Sequence, residues 1–163
     1  MTNESGKKQQ AGEKNTDRIL LLEQQLLAMA QMEALLKWSL DRCQAILLTN
    51  DQMPEQEDLE KFESLTARFA RFNDILLQKI FRLIDTIDLE DVGTVRDRIN
   101  RAEKKGLIED AQRFIEIREL RNSIAHEYQP EALRVIFPET LQATPILLDI
   151  AERVRKYCQR YNS

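Results

Sequence analysis

One apolar row limits this chain more than any other feature. Leu59, Phe62, Phe69, Phe72, Leu76, Ile80, Leu83 and Ile87 fall on one helical face, a spacing that predicts about eight unbroken turns of helix. Little else in the sequence interrupts helices, because 163 residues carry only 4 glycines and 4 prolines. A β-sandwich of this length needs far more turn residues. The expected fold is therefore all-α.

The rest of the chain divides around that row. Residues 1–15 are rich in Gly, Lys, Gln and Glu, lack an apolar anchor and read as a disordered tail. A first helix is expected from Asp17 to Thr49, capped by Asn15 or Thr16. Leu22, Leu26 and Met29 form its stripe, and Leu20, Leu27 and Ala34 widen it. The long second helix should start at Pro54, with Glu55, Glu57 and Asp58 facing its dipole, and Gly93 ends its pattern. Thr94-Val95-Arg96-Asp97 reads as a capping box, with Asp in place of Glu or Gln, for a third helix that Gly106 stops. A fourth helix is expected from Ile108 to Tyr128, because Pro130 disfavours a helical Gln129. A short helical turn after Pro130 and a last helix, capped by Thr144 with Pro145 at its first position, complete the chain. No repeat or second domain is visible. Residues 16–163 are thus expected to form one up-and-down bundle of four to five helices around one core.

Several function classes are disfavoured. No run of about 18 apolar residues is evident, so no membrane span is expected. The polar N-terminus lacks the apolar centre of a signal peptide, which makes the cytoplasm the expected location. Cys43 and Cys158 lie far apart without metal-ligand spacing, and each reads as a packed or free thiol. No His/Asp/Glu cluster has the spacing to hold a metal, so neither metal nor cofactor is expected. The net charge of −4 argues against a general nucleic-acid coat protein. Any RNA would have to be held by a local basic patch.

The segment with the most chemistry is Arg121-Asn122-Ser123-Ile124-Ala125-His126-Glu127-Tyr128, which contains the single histidine. On a helix Asn122 and His126 share a face, and an Asn amide can fix an imidazole tautomer. Arg121 and Tyr128, seven apart, share the adjoining face. Arg121 offers a permanent cationic fork for phosphate, and Tyr128 a hydroxyl on a rigid ring. These groups suit RNA cleavage by transesterification. A base takes the 2′-hydroxyl proton, a cation stabilises the phosphorane and an acid protonates the leaving 5′-oxygen, with no metal needed. The plainer reading is that His126 stabilises the last carbonyls of its own helix. Catalysis also poses a shortage: two proton transfers with one histidine per chain. A two-fold homodimer sharing one cleft would remove it.

Arg121-Asn122-x-x-x-His126-x-Tyr128 resembles the Arg-x4-His-x-Tyr signature of HEPN ribonucleases, in particular the HepT-like toxins. The flanks extend the resemblance. Arg68-Phe69-Ala70-Arg71-Phe72-Asn73-Asp74 with Gln78-Lys79-Ile80-Phe81-Arg82 is similar to the family's second helix. Thr94 to Ile108 is similar to the segment before its catalytic helix, and Ile117-Arg118-Glu119-Leu120 leads into the motif. The resemblance covers roughly Asp17 to Tyr161 and implies a type II HEPN/MNT toxin–antitoxin system. Its toxin would be a metal-independent RNA endonuclease, active as a homodimer with the Arg and His of both protomers at the interface. Transfer RNA is among the targets the resemblance implies. The implied partner is an MNT-type nucleotidyltransferase antitoxin that transfers AMP to the motif tyrosine, here Tyr128. Catalysis would then rest on Arg121, His126 and Asn122.

Other charged and aromatic residues carry two readings each. Arg68, Arg71, Lys79 and Arg82 fall on one α-helical stripe, as a phosphate-tracking ridge or a solvated face. Asp74 reads as half of a surface ion pair; the resemblance adds assistance to Arg121 as its alternative. Arg118, three residues before Arg121, can join a phosphate site or pair with Glu119 or another carboxylate. Arg96, Arg98, Arg101, Lys104 and Lys105 read as a solvated face. Phe62, Phe69, Phe72, Phe81 and Trp38 read as core. Set against the nuclease is a second class, a non-catalytic helical module that binds a nucleotidyltransferase partner.

Overall fold

The computed structural model describes residues 3–49, 51–127 and 129–162, and every regular element among them is helical. The helices are α1 (Asn3–Gln44), α2 (Gln56–Asp74), a π turn (Ile75–Ile80), α3 (Phe81–Ile87), α4 (Val95–Lys104), α5 (Ala111–His126) and α6 (Pro130–Cys158). A 3₁₀ turn, Gln159–Tyr161, follows. The all-α bundle expected from the apolar row is the fold observed.

Cross-contacts give the direction of each helix. Arg68 reaches Leu35 and Ser39, so α2 runs back along α1. Asp74 meets Arg121 while Phe81 meets Phe114, so α5 runs against α2 and α3. Arg153 pairs with Glu109, and Leu120 and Ser123 share a cleft with Glu139 and Gln142, so α6 runs against α5. The topology is up-and-down, with short α4 laid across α3 and α5.

The continuous row from α2 through α3 forms the centre. Phe62, Leu65, Phe69, Phe72, Leu76, Ile80 and Ile84 are fully buried. Phe62 stacks on Phe137 of α6 with ring centroids 4.9 Å apart, and Phe81 packs on Phe114 of α5 at 5.6 Å. Each such ring contributes about 1.5–3 kcal/mol through burial. Cys43 and Cys158 are both buried and free, and burial pushes their thiols up to about 11 and about 12.

Helix α4 begins as its capping box predicts. Thr94 Oγ1 accepts from the Asp97 amide at 3.1 Å, and Asp97 Oδ2 accepts from the Thr94 amide at 2.8 Å. Gly106, at φ +77°, carries the chain away from its end. Its basic residues are not one solvated face. Arg98 is buried and donates to the Leu77 carbonyl, Arg101 pairs with Asp85, and Lys105 binds Asp85, Asp88 and Glu90. The acidic end of α3 lies directly beneath, and opposite charges close the contact. Only Arg96 and Lys104 of the five remain exposed.

Helix α1 ends at Gln44 rather than Thr49 and α5 starts at Ala111 rather than Ile108, and four further boundaries differ from expectation. The segment 3–15, expected as a disordered tail, is the first part of α1, though it buries nothing. Its Glu, Lys, Gln and Ala residues favour helix, and extending an existing helix adds one bond per residue fixed. Helix α2 starts at Gln56, so Pro54 precedes it. Helix α5 ends at His126, two residues short of Tyr128, because Glu127 is already extended. Finally, α6 is one helix containing Pro138 and Pro145, and Thr144 is no cap. The hydroxyls of Thr140 and Thr144 donate back to the carbonyls four residues earlier, Ile136 and Thr140. A proline inside a helix costs about 3 kcal/mol. The buried face from Ile136 to Cys158 outweighs that cost.

Helix α1 is apolar on two sides. Leu22, Met29, Leu36 and Leu40 are buried, whereas Leu20, Leu27, Leu35 and Trp38 are 52 %, 68 %, 49 % and 61 % exposed. Leu20 and Leu27 therefore do not widen the buried stripe, and Trp38 is not core. They sit opposite Met29 on the helix, where α1 has no neighbour. The Arg42 guanidinium instead lies 5.6 Å from the centre of the Trp38 ring. Contrary to the sequence reading, α1 is long and apolar enough to cross a membrane by length and composition, though its inner side packs on α2 and α6.

Candidate active site

The motif end of α5 leaves the core gradually. Ala111, Phe114, Ile117 and Leu120 are buried, after which Arg121, Ser123 and Ile124 are half-buried and Asn122, Ala125 and His126 exposed. Arg118, Arg121 and Asn122 project on one side of the helix, three and four residues apart. That side faces the end of α2 and the π turn. Between them lies a cleft of about 240 Å³, lined by Asn73, Asp74, Leu77, Gln78, Arg118, Arg121 and Asn122.

Asp74 and Arg121 form the centre of the cleft. Arg121 donates from Nε to Asp74 Oδ1 at 2.8 Å and from Nη2 to Asp74 Oδ2 at 2.7 Å. This is a two-pronged pair, with the side chains 28 % and 42 % exposed. The hydrogen bonds to Asp74 hold the Arg121 guanidinium above its usual range, so its charge is permanent. A guanidinium has five N–H donors. Two are committed to Asp74, and the other three remain for an anion. Arg118 adds a second cation and makes no ion pair among the described residues. Of the two readings of Asp74, the ion pair is the one observed, and its partner is Arg121. Arg118 likewise faces the cleft rather than a carboxylate.

His126 is the last residue of α5 and is exposed. It does not line the cleft, and its imidazole makes no hydrogen bond among the described residues, so the expected side-chain bond to Asn122 is absent. It stands one turn beyond Asn122, about 6 Å along the axis. Tyr128 lies outside the described residues, and the face it was expected to share with Arg121 ends with the helix at His126.

The proposed basic ridge is divided. Arg68 donates to the Leu35 carbonyl at 3.2 Å and to Ser39 Oγ at 2.7 Å, binding α2 to α1. Arg71, Lys79 and Arg82 are exposed. The π turn separates the first of these from the other two. Its bonds span five residues instead of four, which rotates Lys79 and Arg82 off the α-helical stripe that the spacing suggested.

Two polar cleft residues, Asn73 and Gln78, and the apolar Leu77 were not singled out by sequence reasoning. Gln78 is held by Arg98, which donates to its Oε1 at 3.4 Å. Asn73 is only 1 % exposed, yet neither its Oδ1 nor its Nδ2 has a hydrogen-bond partner. The available signal was an amide inside the Phe69–Leu76–Ile80 row, where every other inward position is apolar.

Fold and cleft together define an all-α bundle with an arginine–carboxylate pair in an open groove. Compared with known proteins, the chain matches no family model, no curated protein and no solved structure.

Proposed function

We propose that this chain is a metal-independent RNA endonuclease, the toxin of a HEPN/MNT toxin–antitoxin pair, acting in the cytoplasm as a homodimer. The observation that carries the reading is Arg121, braced by Asp74 in a cleft that also holds Arg118 and Asn122. Such a brace fixes the direction of the remaining guanidinium donors before substrate arrives, and preorganised charge is the largest contribution in reactions of this kind.

In the proposed reaction a base removes the 2′-hydroxyl proton of a ribose. The 2′-oxygen attacks the adjacent phosphorus, and Arg121 and Arg118 stabilise the charge that builds on the phosphorane oxygens. The bond to the 5′-oxygen breaks, and that oxygen takes a proton. The products are a 2′,3′-cyclic phosphate and a 5′-hydroxyl. His126, in solvent one turn from the cleft, carries one proton transfer, and His126 of a second copy carries the other. Asn122 lies between imidazole and cleft and positions substrate. The partner, on this reading, is a nucleotidyltransferase that silences the toxin by attaching AMP to Tyr128. The attached phosphate would compete with RNA for Arg121.

Expression in bacteria tests the proposal. Growth arrest by the wild type, relieved by His126→Ala, is the expected result; equal arrest by both contradicts it. Co-expression with the antitoxin should add AMP mass to the wild type and none to Tyr128→Phe. The exposed apolar side of α1 around Leu27 and Trp38 favours the second reading, a binding module. That reading predicts no RNA cleavage.

A further inference from the structure

Asn73 is a polar side chain where the fold asks for an apolar one. By helical spacing it shares a face with Phe69, Leu76 and Ile80, and it is 1 % exposed with both amide atoms unpartnered. A buried amide without partners destabilises the native state, and a leucine of similar volume would relieve that. Asn73 is also among the residues that line the cleft containing Arg121. It is followed immediately by Asp74 and the π turn, a distortion frequent at functional sites.

We propose that this cleft receives a nucleobase of the RNA beside the scissile phosphate, and that Asn73 reads the edge of that base. This rests on the nuclease reading above and adds a specificity residue to it. The chemistry favours a base over a phosphate at this point. A phosphate asks only for donors, and Arg118 and Arg121 supply them. The buried Asn73 amide, turned into the cleft as a base enters, offers one donor and one acceptor side by side, the pattern that matches the hydrogen-bonding edge of a base. Gln78, held through its Oε1 by Arg98, turns its amide nitrogen free for a second bond, and Leu77 offers an apolar wall. The size agrees. About 240 Å³ is smaller than the pockets of whole drug-sized ligands, so the cleft suits a flat ring with its sugar and phosphate outside, against the arginines.

The test compares wild type, Asn73→Leu and Gln78→Ala as full-length proteins. Each is incubated with an RNA of randomised sequence, and the cut ends are sequenced. The wild type is expected to prefer one base next to the cut by about tenfold or more, the scale of one two-bond base contact. Asn73→Leu should reduce that preference to about twofold while unfolding at the same or a higher temperature. Gln78→Ala, an exposed change, should weaken the preference and serves if Asn73→Leu disturbs the fold. A wild type without base preference, or a preference unchanged in both variants, overturns the proposal while leaving the nuclease reading intact. If the wild type cleaves nothing, the nuclease reading falls, and titration with AMP, CMP, GMP and UMP followed by NMR decides the cleft. Shifts of the Asn73 side-chain amide, absent in Asn73→Leu, keep it as a base site; no shift with any of the four overturns it.

Discussion

At the scale of single residues, two carboxylates do different work. Asp74 lies in a partly solvated pair, so its contribution to stability is small, about 1 kcal/mol or less. On the proposed reading its contribution to activity is through the direction of Arg121. We therefore expect Asp74→Asn to leave the unfolding midpoint nearly unchanged while lowering kcat on the order of 10²-fold, with KM for RNA moving little. A large loss of stability with unchanged kcat would make the pair structural only. Asp88 is the opposite case. It accepts from the hydroxyls of Tyr157 and Tyr161, the latter at 2.6 Å, and pairs with Lys105 at 2.9 Å. Burial pushes its carboxyl up, but these hydrogen bonds outweigh burial and hold it below the usual carboxylate range. A carboxyl with a lowered folded value stabilises the fold above its unfolded value of about 3.9, and that stability is lost as pH falls through the folded value. Asp88→Asn should accordingly cost about 1.5–3 kcal/mol at pH 7 and progressively less as pH falls below about 3.9, measured by urea unfolding at neutral and acid pH. An equal cost at both would contradict the assignment.

At the scale of elements, legibility in the sequence followed how local the cause was. The α4 capping box was legible because both of its hydrogen bonds lie within four residues. The buried row through α2 and α3 was legible because its period is local. What failed was set by neighbours that periodicity does not contain. Leu20, Leu27 and Trp38 look like core on a helical wheel, but α1 has neighbours on one side only. The π turn was invisible because the apolar spacing of Leu76, Ile80 and Leu83 fits an α-helix nearly as well. In the site, Arg121, Asn122 and Arg118 could be placed together from helix spacing. The meeting with Asp74, across 47 residues, needed the fold. Pro145 misled most directly, because the signal for a helix start stands in the interior of α6. It is exposed, and its ring denies the Leu141 carbonyl a helical partner. Pro145→Ala should therefore raise stability by about 1–3 kcal/mol, seen as a higher urea midpoint with unchanged slope. A lower midpoint would show that the proline fits a bend the packing requires.

At the scale of the whole molecule, the proposed reaction ties the number of histidines to the assembly. On the proposed reading, one imidazole per chain for two proton transfers is met by a two-fold dimer with both copies at the site. Light scattering should give a mass near twice 19.1 kDa. Mixing inactive His126→Ala with inactive Arg121→Ala should restore part of the activity if the two copies share their groups, whereas no recovery would confine each site to one chain. The central claim is metal-independent cleavage by Arg121 and His126, and one assay reaches it most directly. Purified protein is incubated with RNA in EDTA, alongside His126→Ala, and the chemistry of the new ends is determined. The account predicts 2′,3′-cyclic phosphate and 5′-hydroxyl ends from the wild type, reduced by about 10² to 10⁴-fold in the variant. Cleavage that needs added magnesium, or ends formed equally by His126→Ala, would contradict it.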